Sequence, residues 1–270
     1  ERNIYATGYF DSVNITEKHG DKYTDIIVNV KETERVNSIS FAVMYTSENA
    51  LSGKVDFALN NIFGTGRELA LSAEMGRYKN DFRLKFFEPW LFDRPYSAGF
   101  TLYSIDKEYD YFDRDAFGAE ITIGHQLVKR RLFMSYTIGH DESDIKNVSA
   151  NASNYIKKQE VFRTQNFLLP RLTYSYLDNN VDPKDGIKSS LGVEYSGTFL
   201  GGDTHIVKAT LDGSYYRPLP YGFIGAIHAE IGQIWPLTDD DIPIDKRFYL
   251  GGMYSVRGFG YQDISPVDSE

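Results

Sequence analysis

Residues 186–197 read GIKSSLGVEYSG, and their side chains alternate in character. Ile187, Leu191, Val193 and Tyr195 share one parity; Lys188, Ser190, Gly192, Glu194 and Ser196 share the other. A period of two is the geometry of a β-strand whose two faces meet different surroundings. The pattern recurs along the chain. Val207, Ala209, Leu211 and Tyr215 alternate with Lys208, Thr210, Asp212 and Ser214. Phe223, Ile227, Ala229, Ile231 and Trp235 oppose His228, Glu230 and Gly232. Leu69, Leu71, Ala73 and Met75 oppose Glu68, Ser72 and Glu74, and Phe117, Ala119, Ile121 and Ile123 oppose Glu120 and Thr122. No helical stretch stands out in the body of the chain.

Alternation by itself fits a soluble sandwich as well as a membrane barrel, because both bury one face of each sheet. Three features favour the barrel. The alternating runs reach roughly ten residues or more, the length of a tilted membrane-crossing strand, where sandwich strands average nearer five or six. Aromatic residues gather at strand ends, as at Tyr215, Tyr216, Tyr221, Phe223 and Trp235, where interfacial girdles form. Loops on one side are short and rich in turn formers (NIFGTG, EPWLFDRP, QLVKRR, DPKDG, RPLPYG), whereas the other side holds the long ones. Among these are DKEYDYFDRD, residues 141–165 and everything after Pro236; RYKND and FLGGD are short exceptions. From Ile39 onward about eleven strands are expected before a glycine-rich loop.

Composition agrees with this reading. Twenty Tyr and eighteen Phe against two Trp make the chain 15% aromatic. Mean hydropathy is only −0.39, and no apolar run is long enough for a transmembrane helix, a test that β-barrels pass unnoticed because their strands are half polar. The absence of cysteine excludes disulfide frameworks and thiolate metal sites. A net charge of −9 with scattered cations leaves no footprint for nucleic acid.

The first thirty-odd residues differ. Residues 13–18 and 23–31 read as a hairpin joined through His19, Gly20 and Asp21. A lone hairpin is marginal in water, so it is expected to complete a small α/β module that begins before residue 1.

Four stretches carry a family resemblance: NIYATGYFDSVNI with DIIVNVKE, NIFGTGRELALSAEMG, FFEPWLFDRPYSAGF, and RFYLGGMYSVRGFGYQDISP. Together they resemble the Omp85 superfamily of outer-membrane proteins, in its barrel-assembly branch, over nearly the whole chain. The resemblance implies an all-β fold: a transmembrane antiparallel β-barrel, sixteen-stranded in the family, preceded by a partial α/β POTRA module. Residues 1–35 would be the end of that periplasmic module and residues 36–270 the barrel. With about eleven strands here, the chain is expected to be part of a longer protein.

The same resemblance implies the candidate site. Val256, Arg257, Gly258 and Phe259 form the VRGF motif of a loop that folds into the barrel lumen. There Arg257 would meet an acidic, aromatic wall patch contributed by strands beyond Glu270, since a guanidinium away from water needs an acceptor. Val256 and Phe259 would pack on the wall, Gly258 would permit the tight backbone, and Arg257 would matter more than Arg247, which precedes the motif. The first strand, residues 38–48, would border a weak seam. Ile39, Phe41, Val43 and Tyr45 would face lipid, and Ser40, Ala42 and Met44 the lumen. An opened seam offers an edge to which an incoming strand adds. Implied partners are nascent outer-membrane β-barrel proteins, the barrel-assembly-machinery (BAM) lipoproteins and periplasmic chaperones at the POTRA part, the lipid bilayer and lipopolysaccharide.

No catalytic constellation emerges. His19, His125, His140, His205 and His228 lack metal-ligand spacing. His228 and Glu230 share the lumenal parity and read as wall residues. Asp239, Asp240, Asp241 and Asp245 lack the glycine and glutamate of a calcium loop and read as a solvated acidic loop, with weak divalent binding near lipopolysaccharide as the alternative. No cofactor and no enzyme activity are expected. Three other functions fit parts of the pattern: another superfamily branch (a translocation and assembly module or a two-partner secretion pore), a passive porin, and a soluble β-sandwich binding module.

Overall fold

The computed structural model describes residues 9–20, 23–33, 37–252 and 255–264. Asp21, the 35/36 domain boundary, Met253, Tyr254 and the last six residues lie outside them. The described strands form two sheets. One is the hairpin β1 (Phe10–His19) and β2 (Thr24–Glu32), antiparallel as the sequence suggests. The other has eleven strands in chain order: β3 (Ser38–Thr46), β4 (Ala50–Ile62), β5 (Arg67–Gly76), β6 (Lys79–Glu88), β7 (Tyr96–Glu108), β8 (Asp113–Val128), β9 (Leu132–Lys146), β10 (Phe162–Leu177), β11 (Gly186–Ser196), β12 (Ile206–Pro218) and β13 (Ile224–Pro236). Each strand pairs with its chain neighbours, so the sheet is an unbroken meander with β3 and β13 at its edges.

The two faces follow the alternation. Outward residues are apolar and exposed across the whole sheet, from Ile39, Phe41, Val43 and Tyr45 on β3 to Ile227 and Ile231 on β13. The inward face carries charge and hydroxyl. Arg83 forks onto Asp81 at 2.7 and 3.0 Å, Thr122 and Thr137 share a hydrogen bond of 2.8 Å, and His228 meets Ser214 at 3.1 Å and Asp212 at 3.5 Å. His228 is thus a wall residue paired across to β12. An apolar outside and a polar, hydrogen-bonded inside is the arrangement of a barrel wall in lipid.

The strands run further than hydrophobic alternation indicates. Residues 141–146 and 162–165 were expected in a long loop, yet they extend β9 and β10, with Asp144 opposite Phe162. On β9 the outward face changes from Tyr136 and Ile138 to His140 and Glu142. Above that level both faces are polar, so the ladder continues without a hydrophobic signal. The intervening loop also contains one helical turn, α1 (Asn154–Lys157), absent from the sequence reading. It is nucleated by Ser153, whose Oγ accepts from the Ile156 amide at 3.3 Å, and four residues carry too little periodicity to be recognised.

Inward glycines make room for rings from the adjoining strand. A Cβ on Gly139 would lie 2.2 Å from the Phe167 ring, and one on Gly118 would lie 2.3 Å from Tyr103. Phe167 sits opposite Gly139 and is buried. Gly139→Ala is therefore expected to cost about 1–3 kcal/mol by overpacking. Gly53→Ala, with open space around the new methyl group, is expected to be close to neutral. Urea unfolding of the refolded barrel in micelles checks this, and equal midpoints for the two variants would contradict the ring-over-glycine packing.

Candidate functional site: a lumenal segment and an open strand edge

After β13 the chain turns back over the inner face. Three attachments hold it. Asp245, its side chain only 5% exposed, lies 3.3 Å from Arg114 on β8. The same guanidinium reaches Asp141 on β9 at 3.5 Å and donates to Ser143 at 2.9 Å, and Asp141 accepts from the Tyr103 hydroxyl at 2.7 Å. One cation therefore joins two inward strands and the returning segment. Next, Phe248 lies over Gly232, where a Cβ would sit 2.2 Å from its ring. Lys208 on β12 stands 4.4 Å from that ring centre and donates to the Lys246 carbonyl at 2.9 Å. Finally, Tyr261 receives the Lys107 ammonium 4.0 Å from its ring centre, and Lys107 also pairs with Glu48 beside the end of β3. The segment thus spans the interior from the β12–β13 side to the β3–β4 turn.

An apolar cap closes over these contacts. Phe112, Ile145 and Ile244 are buried together, with Tyr109, Val148, Tyr155, Ile156 and Tyr249 packed around them. They come from the β7–β8 loop, the β9–β10 region and the returning segment. Tyr155 donates to the Ile242 carbonyl, Tyr249 donates to the Ile244 carbonyl at 2.8 Å, and burial pushes the Tyr249 phenol up to about 12.

These contacts correct one sequence expectation. Asp245 is no part of a solvated acidic loop. It leaves the exposed Asp239, Asp240 and Asp241 behind because Arg114 supplies a buried counter-charge. The Arg247 guanidinium lies 4.0 Å from the Tyr155 ring centre. Among the described residues, no group of three or more His, Asp or Glu side chains is placed to hold a metal ion.

The four motif residues form the tip of a closed excursion. Gly252 donates to the Phe259 carbonyl at 3.0 Å, and Leu250 bridges Ile264. Between them Val256 is half-buried, Arg257 and Gly258 are exposed, and Phe259 is 54% exposed. Gly258 has φ of 95°, where only glycine is unstrained. Arg257 forms no ion pair among the described residues. The segment's base is gripped by Asp245, Phe248 and Tyr261, and its tip presents the arginine. Sequence reasoning found the tip and missed the base: Asp245 and Arg114 lie far apart in the chain, and neither sits in a motif.

The first strand stands at the other end of the geometry. Among the described residues β3 pairs with β4 alone, Ser38 opposite Ala58 through Thr46 opposite Ala50. Ile39, Phe41, Val43 and Tyr45 are 61–81% exposed on the outward face. Ser40 and Ala42 are exposed at the intervening inward positions, and Met44 is half-buried. In an antiparallel ladder a strand with one neighbour leaves alternate N–H and C=O groups pointing away from it.

An antiparallel wall with an apolar outer face, a charged lumen and a segment folded into that lumen defines an outer-membrane type of β-barrel. A match to the Omp85 superfamily domain covers residues 61–270, and the chain belongs to the Omp85 superfamily. It is 25% identical over 274 residues to the outer membrane protein assembly factor BamA of Nitratidesulfovibrio vulgaris, covering 99% of this chain and 34% of that protein. It is also 26% identical over 250 residues to the SAM50-like protein CG7639 of Drosophila melanogaster, covering 89% of this chain and 56% of that protein. The fold matches BamA from Haemophilus ducreyi lacking POTRA domains 1-3, with TM-score 0.78 and 20% identity over 98% of this chain and 54% of that one. It also matches CdiB from Acinetobacter baumannii, with TM-score 0.63 and 15% identity over 96% and 50% of the two chains. The chain therefore spans between a third and just over half the length of these relatives.

Asp245→Asn is expected to free the base of the segment while leaving Arg114 its contact with Asp141, a loss of up to roughly 3 kcal/mol for one partner of a mostly buried ion pair. Limited trypsin digestion of the folded protein should then cut faster after Lys246 and Arg247. Arg257→Ala, at the tip, should leave those rates unchanged. Equal protection of Lys246 and Arg247 in the wild type and Asp245→Asn would contradict the clamp.

Proposed function

We propose that this chain is the barrel wall of an assembly factor that inserts β-barrel proteins into the bacterial outer membrane, with β3 as the strand on which substrates pair. The observation that carries the reading is the edge of β3. Its outward side chains suit lipid, and it lies at the border of the sheet, with β4 as its neighbour among the described residues. If the seam between β3 and the barrel's last strand opens, each backbone group it leaves unpaired in hydrocarbon costs several kcal/mol, so the opened edge binds another strand strongly. A substrate strand adding there gains main-chain hydrogen bonds that do not depend on its sequence, which suits a factor serving many clients. The BamA relative is an assembly factor by name, and the SAM50 homologue of Xenopus laevis is a sorting and assembly machinery component; both names agree with this role.

In this reading the hairpin β1–β2 is the end of a periplasmic POTRA module. Tyr9 at its base donates to the Gly66 carbonyl of the β4–β5 turn at 3.4 Å, a contact that supports a periplasmic side for the short-turn rim. BAM lipoproteins and chaperones would dock at that module, and lipid and lipopolysaccharide would surround the outward face. No catalytic step is required. The likeness to CdiB, though at an identity that speaks only for fold, keeps a two-partner secretion pore as the second reading.

Cross-linking separates the two. The chain has no cysteine, so a cysteine introduced at Ser40 or Ala42 stands alone in this part of the protein. A stalled β-barrel substrate carrying cysteines in its terminal strand is expected to form disulfides with these positions in the full-length protein. A cysteine at Thr122, in the middle of the wall, should form none. Cross-links confined to Thr122 and other mid-wall lumenal positions would favour a pore and overturn the strand-pairing reading.

A further inference from the structure

The β8–β9 turn places three cations, Lys129, Arg130 and Arg131, on the short-turn rim. It is the one run of three consecutive cations in a chain of net charge −9. All three are exposed. Ion pairs elsewhere on that rim join Arg67 to Glu88 and Lys184 to Asp182; among the described residues no carboxylate pairs with these three.

The backbone gives the run further meaning. Arg130 has φ of 64°, in the left-handed region. A three-residue hairpin loop of this kind, closed here by the Arg131 amide on the Val128 carbonyl at 3.0 Å, ordinarily carries glycine at its left-handed position. The Arg130 amide is tied to Gln126 at 3.3 Å, holding that conformation. The chain thus keeps an unpaired arginine where glycine would be unstrained. Strained backbone positions of this kind cluster at functional sites.

The surroundings identify the ligand. Directly above the turn, on the outward face, Tyr96, His125 and Tyr136 lie ring beside ring at 5.7 and 6.4 Å. Tyr176 is 55% exposed, with the Arg131 guanidinium 4.8 Å from its ring centre. Aromatic rings in this position mark the boundary between hydrocarbon and headgroups. Cations immediately below them stand at the level of lipid phosphates.

We propose that this turn is a binding site for the headgroup of an anionic phospholipid in the periplasmic leaflet. Lys129 and Arg130 would engage the phosphate, and Arg131, stacked on Tyr176, would flank it. The proposal rests on the membrane-spanning reading of the sheet and goes beyond it by naming a lipid class and a site.

The test uses the full-length protein in nanodiscs of equal phosphatidylcholine and phosphatidylglycerol, with the lipids retained after mild extraction counted by native mass spectrometry. Wild type should retain phosphatidylglycerol in excess. Each cation near a lipid surface contributes about 1 kcal/mol, about fivefold in affinity, so Lys129→Ser with Arg130→Gly should cut the excess at least about tenfold. The double variant should keep its heat-modifiability or gain in it, because glycine relieves the turn. Three outcomes overturn the site: no excess in wild type, an excess undiminished in the variant, or complete displacement by inorganic phosphate, which would show a bare anion site. Failure to enter nanodiscs at all would overturn the membrane reading itself and the lipid site with it.

Discussion

Hydrocarbon offers no partner to a backbone amide, and that constraint orders everything else in this chain. A sheet satisfies its amides only through neighbours. Among the described residues, eleven strands in an unbroken meander do so on both sides of each strand from β4 to β12. The outward residues then need be nothing more than apolar, while the inward residues are free to carry charge. Where a seam beside β3 opens, the same physics that builds the wall lets that strand take up another.

The lumen is governed by the complementary rule, that a charge taken from water needs a counter-charge. Arg114 meets that rule by facing Asp141 from the neighbouring strand and Asp245 from the returning segment. Lys208 and Lys107 use ring faces and single oxygens for the same purpose. The segment is therefore attached at points spread across the interior, one of them beside the β3–β4 turn through Lys107 and Glu48. That geometry connects the segment's position to the end of the strand proposed to pair with substrates.

Much of this was legible in the sequence because a membrane wall writes itself in period two. Ile187, Leu191 and Val193 against Lys188, Ser190 and Glu194 fix both the strand and its faces. Turn formers such as Asp182, Pro183 and Gly186 mark where strands end. Above the apolar band, where β9 carries His140, Asp141, Glu142 and Ser143, the two faces look alike to water and the pattern falls silent while the ladder continues. The clamp was invisible for another reason. Arg114 and Asp245 are ordinary charged residues, brought together by a sheet that curls and a segment that returns, and no local spacing encodes that meeting. The Omp85 resemblance located the exposed motif at Arg257 and gave no sign of the buried base beneath it.

The central claim is that β3 is a lipid-facing strand at the sheet's edge, and one measurement addresses it directly. Spin labels placed singly from residue 39 to residue 45 of the full-length protein in bilayers report collision with oxygen, enriched in lipid, and with a water-soluble nickel chelate. The account predicts a period of two: labels at 39, 41, 43 and 45 favour oxygen, and labels at 40, 42 and 44 favour nickel. Uniform nickel access along all seven positions would contradict it, placing β3 in water and removing the ground for strand pairing at a membrane edge.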